Sequence, residues 1–263
     1  TCQYLAKRNY LVLATVRKEK DYERLLNEEN IVPIKLDVRN QEEIKKAVAL
    51  IESLPNGLFG LINNAGIAIP GPLACLPIKE FEYQMEVNVT GLLRISQAFI
   101  PFMKPGARLI NVSSMAGKVS FPGLGAYHAS KHAVEAISDV LRLELKPKGI
   151  DVSIIEPGRI ATPIWKTSRK YSEKTLSEIP TPKYTPYKPL MEAVQYSVSD
   201  AESTGASPLL CAKAIHRALS SKRPRTRYAV GIDAKIYLFM RRFLLSDRIW
   251  DAILSKTLSK GLR

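Results

Sequence analysis

The stretch that most constrains this chain is INVSSMAGKVSFPGLGAYHASK, residues 110–131. Ile110–Val112 reads as the end of a buried strand. Gly117, Pro122, Gly123 and Gly125 then break the chain into a loop. From Tyr127 onward, Ala133, Val134, Ile137, Val140, Leu141 and Leu143 keep helical spacing. Tyr127 and Lys131 therefore share one helix face. Ser114 stands at the C-terminal end of the strand, where open α/β sheets bind ligands.

These three residue types suit one kind of chemistry. A phenol with a pKa of about 10 is a poor base at neutral pH. A nearby ammonium favours the phenolate and lowers that pKa. A serine hydroxyl can hydrogen-bond a substrate oxygen, so the trio fits proton transfer at an alcohol or carbonyl oxygen. The Tyr-x-x-x-Lys spacing alone is weak, because a second copy exists at Tyr184 and Lys188. That copy lies in TPKYTPYKPL, a Pro-rich stretch not expected to be helical, with no serine 13 residues upstream. Replacing Tyr184 should therefore change little.

At 263 residues and 46% hydrophobic, the chain is long enough for one large α/β domain. Cys2, Cys75 and Cys211 are odd in number and irregularly spaced, which argues for a reducing, cytoplasmic setting. No apolar run is long enough to span a bilayer. His128, His132 and His216 have no acidic partner at metal-ligand spacing, so no metal site is expected. Of the net charge of +14, +8 lies in residues 222–263. That basic excess suits an anionic membrane surface or an ordinary solvated face; nothing resembles a nucleic-acid motif.

Taken in order, residues 1–10 read as the second half of a helix, with Asn9 as a left-handed C-terminal residue. Leu11–Val16 reads as a strand ending at Arg17-Lys18, and Ile31–Leu36 as a strand ending at Asp37-Val38. Asn40 and Glu43 form a capping box for a helix reaching Leu54. Leu58–Ile62 is a strand ending in Asn63-Asn64-Ala65-Gly66. Phe81–Met103 reads as a long helix interrupted near Asn88–Gly91, since Asn-Val-Thr-Gly is poor for helix stability. Asp151–Ile155 is a strand followed by Pro157-Gly158-Arg159-Ile160-Ala161-Thr162. Residues 163–206 are polar and aperiodic and read as a long loop. Ser207-Pro208 opens a helix to about Leu219, and Arg227–Val230 is a short final strand. Alternating strands and helices imply a doubly wound parallel sheet in a single domain over residues 1–263.

The motifs Asp37-Val38, Asn63-Asn64-Ala65-Gly66, Asn88, Ser114, Tyr127-x-x-x-Lys131 and Pro157-Gly158 with Thr162 occur in an order and spacing that resembles the short-chain dehydrogenase/reductase family. The resemblance implies a Rossmann-like fold and hydride transfer between a nicotinamide cofactor and a carbonyl or secondary alcohol. It implies Tyr127 as acid/base, Lys131 lowering its pKa and holding the nicotinamide ribose, and Ser114 orienting the substrate oxygen. Asn88 would mark a kink whose freed carbonyl holds a relay water. Asp37 would bond the adenine, with Val38 beside it. Asn64, Ala65 and Gly66 would let backbone approach the cofactor, and Pro157, Gly158, Ile160 and Thr162 would line the nicotinamide. A first strand and glycine-rich turn would precede residue 1, lying between the Leu11 and Leu58 strands.

No acid occurs from Leu11 to Lys18, and Arg17 suits the 2′-phosphate of NADP better than the ribose hydroxyls of NAD; the plain alternative is a solvated loop. Residues 163–206 would form the substrate lid, with Ile164, Trp165 and Met191 as apolar contacts. The expected partner is a lipophilic small molecule of the steroid, retinoid or fatty alcohol type, and a homo-oligomer is expected. In residues 232–263, Ile236, Phe239, Met240, Phe243, Trp250 and Leu254 recur at helical spacing with Arg241, Arg242 and Arg248 between them. Such a segment would serve as a peripheral membrane contact, or pack on its own domain or a partner subunit. The rival class is a non-catalytic NADP-binding or membrane-docked scaffold, against which the intact trio argues.

Overall fold

The computed structural model describes residues 1–243 and 246–260. Strand β1 (Val12–Val16) pairs in parallel with β2 (Ile31–Lys35). A parallel four-stranded sheet runs in order through β3 (Leu58–Asn63), β4 (Met103–Val112), β5 (Asp151–Pro157) and β6 (Arg227–Val230). β1 and β3, expected to flank a further strand, are not hydrogen-bonded to each other among the described residues.

The helices in chain order are α1 (Cys2–Ala6), α2 (Glu19–Leu26), α3 (Gln41–Glu52), α4 (Ile78–Met85), α5 (Gly91–Phe99), α6 (Gly125–Leu145), α7 (Pro163–Ser177), α8 (Thr181–Tyr184), α9 (Lys188–Thr204), α10 (Leu209–Ser220), α11 (Ile232–Phe243) and α12 (Asp247–Lys260). Helices cover both faces of the sheet. On one, Leu5 of α1 and Ile215, Ala218 and Leu219 of α10 pack on Ile110, Ile155, Tyr228 and Val230. On the other, Ile44, Ala47 and Ile51 of α3 pack with Ile95 and Phe99 of α5, against Leu13, Leu58 and Leu61. Adjacent residues of β4 serve opposite faces, Ile110 in the first cluster and Leu109 in another on Leu145 and Val152, as a pleated strand requires.

Local signals explain most boundaries. Asn9 has φ 62°, the left-handed conformation that ends α1. Asn40 accepts from the backbone N–H of Glu42 and Glu43 at the start of α3. Glu43 departs from the expected reciprocal box: its carboxylate accepts from Asn40 Nδ2 (3.0 Å) and from the Asp37 backbone N–H (2.6 Å). The interrupted helix resolves into α4, a π-helical turn over Glu86–Thr90, and α5. A π turn inside an α-helix is a frequent device at functional sites.

Residues 163–206 are not a loop. They form α7, α8, a short 3₁₀ turn and α9. Four of the five prolines that argue for a loop sit in first turns: Pro163, Pro182, Pro186 and Pro189 occupy the first or second helical position, and Pro180 is the residue that precedes α8. In a first turn a missing N–H costs nothing and the fixed φ is already helical. The Tyr184–Lys188 pair is likewise helical, but it straddles the junction between α8, the 3₁₀ turn and α9. Met191 and Trp165 pack inside this helical unit with Val194, Val198 and Leu176; Ile164 is half-buried.

The amphipathic C-terminal stripe also divides. Trp250 is buried, whereas Ile236 and Phe239 are more than half exposed. The Phe243 and Arg242 side chains lie outside the described residues.

A chain of buried side chains joins the sheet to both helical layers. Asn63 Nδ2 donates to Ser96 Oγ of α5 (2.9 Å) and to Asn111 Oδ1, its register partner on β4 (2.9 Å). Asn111 Nδ2 donates to Ser138 Oγ of α6 (2.8 Å). Asn111→Leu would leave Asn63 with only its Ser96 bond and Ser138 with only its Val134 bond, each one partner short in the core. It should lower the unfolding free energy by about 1–3 kcal/mol in a urea titration, with the unfolding slope unchanged.

Candidate active site

Three parallel strands end at one place. Past β4, Ser114 is extended (φ −170°), its Oγ donating to the Pro157 carbonyl at the end of β5 (3.2 Å) and accepting from the Ala116 N–H (3.2 Å). The loop returns into α6, whose first and second turns present Tyr127 and Lys131. Lys131 Nζ donates to the Val112 carbonyl (2.9 Å) and lies 5.8 Å from the centre of the Tyr127 ring. Ser114 is within hydrogen-bonding influence of the Tyr127 phenol. The structure thus brings Ser114, Tyr127 and Lys131 together.

The electrostatics differ from the expectation that Lys131 lowers the phenol pKa. Burial pushes the Tyr127 phenol above its usual value, and only the Ser114 hydroxyl opposes it. Burial also brings Lys131 down to about 8, with Glu135, one turn along α6, pulling the other way. Removal from water disfavours the charged form of each group, and here it outweighs their mutual attraction. Lys131 is 6% exposed, and Nζ donates to a backbone carbonyl, that of Val112.

Asn88, inside the π turn and almost fully buried, acts through its carboxamide. Oδ1 accepts from the Ile67 N–H (2.9 Å), and Nδ2 donates to the Ile67 carbonyl (2.9 Å) and Ser130 Oγ (3.0 Å). Gln84 adds bonds to the Ile67 carbonyl (2.7 Å) and the Ile69 N–H (2.8 Å). Together they stand in for a neighbouring strand along the segment after β3. Gly66 lies between: a Cβ there would come 3.4 Å from Asn88 Oδ1 and 3.7 Å from Lys131 Nζ. Asn64 and Ala65 are exposed beside it. This cradle, open on the side of Lys131, fits a cofactor ribose held close to backbone.

At the far end, Arg17, Lys35, Asp37 and Arg39 line a cavity of about 680 Å³ with the start of α3. Arg39 was not foreseen. Its Nε and Nη2 grip the Asp37 carboxylate (3.0 and 2.7 Å), holding that carboxyl below its ordinary range, and its guanidinium lies 5.0 Å over the Tyr83 ring. The expected adenine contact of Asp37 therefore competes with an internal ion pair. Val38 packs on Gly91, where a Cβ would meet its Cγ2 at 2.5 Å.

On the β5 side, Ile160 is 5% exposed within the core, so its side chain does not reach the site; its carbonyl accepts from Trp165 Nε1 (2.6 Å). Gly158 is required by Asp233, whose carboxylate would lie 2.2–2.5 Å from a Cβ there and accepts from the Arg159 N–H (2.7 Å). Pro157 offers its carbonyl to Ser114, and Thr162 precedes α7. No group of His, Cys, Asp and Glu among the described residues could hold a metal ion.

A family model described as short chain dehydrogenase matches residues 1–173. The chain belongs to the short-chain dehydrogenase family. It is 34% identical to the 3-amino-tetrahydro-pyrrolizinone reductase of Xenorhabdus hominickii, over 98% of this chain and 92% of that protein. It is also 34% identical to retinol dehydrogenase 16 of Mus musculus, over 95% of this chain and 81% of that one. Among solved structures, a short chain dehydrogenase of Burkholderia cenocepacia J2315 in complex with NADP aligns with TM-score 0.69 at 23% identity, over 97% and 90% of the two chains. A short chain dehydrogenase/reductase of Burkholderia phymatum in complex with NAD aligns with TM-score 0.74 at 23% identity, over 91% and 88%. Those two likenesses establish the fold alone. This short-chain dehydrogenase is an NAD(P)-dependent oxidoreductase acting on a small molecule.

The depressed Lys131 pKa has a measurable consequence without cofactor. The unfolded chain holds a proton between about pH 8 and 10.5 that the folded chain has lost, so unfolding free energy rises with pH across that window. Lys131→Met should remove this dependence. It should also stabilise the cofactor-free protein at pH 7 by about 1–3 kcal/mol, read by urea unfolding, because a buried ammonium is no longer desolvated. A less stable variant would contradict the burial of the charge.

Proposed function

We propose that this dehydrogenase transfers a hydride between NADP(H) and a carbonyl or secondary alcohol of a lipophilic small molecule. The convergence of Ser114, Tyr127 and Lys131 beyond the ends of β4 and β5 carries this reading. When bound, the nicotinamide supplies or accepts the hydride. In reduction, Ser114 Oγ turns from the Pro157 carbonyl to donate to the substrate oxygen. Tyr127 Oη gives that oxygen its proton as the carbon takes the hydride, and the phenolate recovers its proton from solvent. In oxidation the same phenol accepts the alcohol proton. Lys131, held beside the ring, stabilises the phenolate that forms, and its ammonium is placed to reach the ribose across Gly66.

Several observations support the finer parts. Arg17 and Arg39 line one cavity, which favours the extra phosphate of NADP. The helical lid sets Met191 and Val194 against Gly123, at the mouth of the Ser114–Tyr127 loop, with Leu124, Trp165, Leu176 and Leu190 around them. Met191 and Val194 are buried against that loop and shape it from behind, and the likeness to a retinol dehydrogenase favours a lipophilic substrate. Ile232, Ile236 and Phe239 recur exposed along α11, and Ile249 and Ile253 along α12, which favours a peripheral membrane contact by that surface; a second copy of the chain is the other occupant to test. No helix among the described residues is long and apolar enough to cross a membrane.

Steady-state kinetics with NADPH and NADH on a lipophilic carbonyl test the proposal. Tyr127→Phe should lower kcat by about 10²–10⁴-fold with NADPH affinity retained, and Tyr184→Phe should change neither. Arg17→Asp should cost about tenfold or more of the preference for NADPH. Retention of more than about a tenth of the rate by Tyr127→Phe removes the acid/base assignment.

A further inference from the structure

We propose that Trp250, far along the chain in α12, is a positioning residue for the acid/base site: with Tyr237 of α11 it clamps Phe121 and so fixes the loop that joins Ser114 to Tyr127. The inference rests on the assignment of Tyr127 as acid/base. Four rings form a closed set. The Phe121 ring centre lies 5.5 Å from His128, 5.8 Å from Tyr237 and 6.0 Å from Trp250. Tyr237 and Trp250 meet edge to face at 5.8 Å and 89°. Contacts of this geometry are directional, so they set where Phe121 sits as well as burying it.

His128 converts that placement into loop geometry. It follows Tyr127 on α6 and is 3% exposed. Its Nδ1 faces the Ala116 carbonyl (3.0 Å), and its Nε2 accepts from the Phe121 N–H (3.1 Å). The second bond needs an unprotonated Nε2, so the ring is the neutral Nδ1–H tautomer, donating to Ala116. One imidazole thus ties both ends of the 116–121 segment to the helical turn that bears the phenol. Ala116 is also bonded through its N–H to Ser114 Oγ. The path runs from Trp250 through Phe121 and His128 to Ala116, and so to the relative placement of Ser114 and Tyr127.

The tie is sensitive to protons. Burial lowers the His128 pKa below 6.5, with His132, one turn on, adding to the effect and the Ala116 and Val119 carbonyls opposing it. The other titratable group packed on it is the Tyr127 phenol, at 6.2 Å between ring centres. A folded pKa below the unfolded one means the neutral tie persists above it and fails as pH falls through it. Loss of Trp250 loosens Phe121, the ring that packs on His128, so the His128 pKa should rise toward 6.5.

The test compares the pH dependence of kcat for the unmodified full chain with that for Trp250→Ala, Trp250→Phe, His128→Gln and Tyr127→Phe. Trp250→Ala should lower kcat about tenfold while the KM for the cofactor stays within about twofold, because geometry between catalytic groups is lost and cofactor contacts are not. Its acid limb should move to higher pH. Trp250→Phe, which keeps a ring against Phe121, should recover most of the rate and the original limb, and His128→Gln should lack that limb. The proposal is overturned if Trp250→Ala keeps kcat and limb unchanged. It is equally overturned if its rate falls with no movement of the limb, which is what a merely structural role would give. Full activity in Tyr127→Phe would instead overturn the acid/base assignment beneath it.

Discussion

An ammonium must be buried beside a half-buried phenol, and the rest of this structure is arranged around that cost. Burying an ammonium is unfavourable unless dipoles or counter-charges replace its hydration. Lys131 receives the Val112 carbonyl at 2.9 Å and the field of Glu135 one turn away, which leaves its pKa depressed to about 8. Glu135 in turn is held by Lys118 (3.2 Å) and Arg227 (3.1 Å). The site is therefore supported from β6 through Glu135 as well as from β4, although neither β6 nor Glu135 touches the reacting groups.

The same constraint explains why polar side chains occupy the core. The segment after β3 leaves the ladder, with Asn64 and Ala65 exposed. Its backbone groups then need other partners, and Asn88 and Gln84 supply them to Ile67 and Ile69. The π turn over Glu86–Thr90 lodges Asn88 between α4 and α5, where its carboxamide reaches both Ile67 and Ser130. Asn63 and Asn111 hold β3 to β4 at the next level down, so the strand ends that carry Ser114 and Gly66 are fixed in register.

Much of this was legible in the residues. Short apolar, β-branched runs marked the six strands, period-3.6 spacing marked the helix that carries Tyr127, and the Asn-Val-Thr-Gly run marked the break that became the π turn. Two kinds of feature were not legible. Ser, Thr and Pro in residues 163–206 mimic a loop, because composition does not say that each proline there falls in a first turn or, for Pro180, just before one. Ion pairs and ring contacts between distant segments leave no local trace. Arg39 on Asp37 was discoverable from its i+2 spacing, but Trp250 on Phe121 was not. The amphipathic pattern at the C-terminus placed Trp250 with Ile236 and Phe239, yet tertiary packing turned it inward. The direction of the Tyr127 shift was missed for a related reason, since sequence spacing shows that Lys131 is near but not that it is buried and bonded to the Val112 carbonyl.

The claim that burial, rather than Lys131, governs the phenol in the cofactor-free protein is open to direct titration. The ultraviolet difference spectrum between the unmodified chain and Tyr127→Phe isolates one tyrosine among eleven. Tyr127 should ionise above pH 10, and Lys131→Met should leave that midpoint nearly where it was. A midpoint below 10 in the free protein, rising when Lys131 is replaced, would show that the ammonium already dominates and that the site is drier in this account than in the molecule.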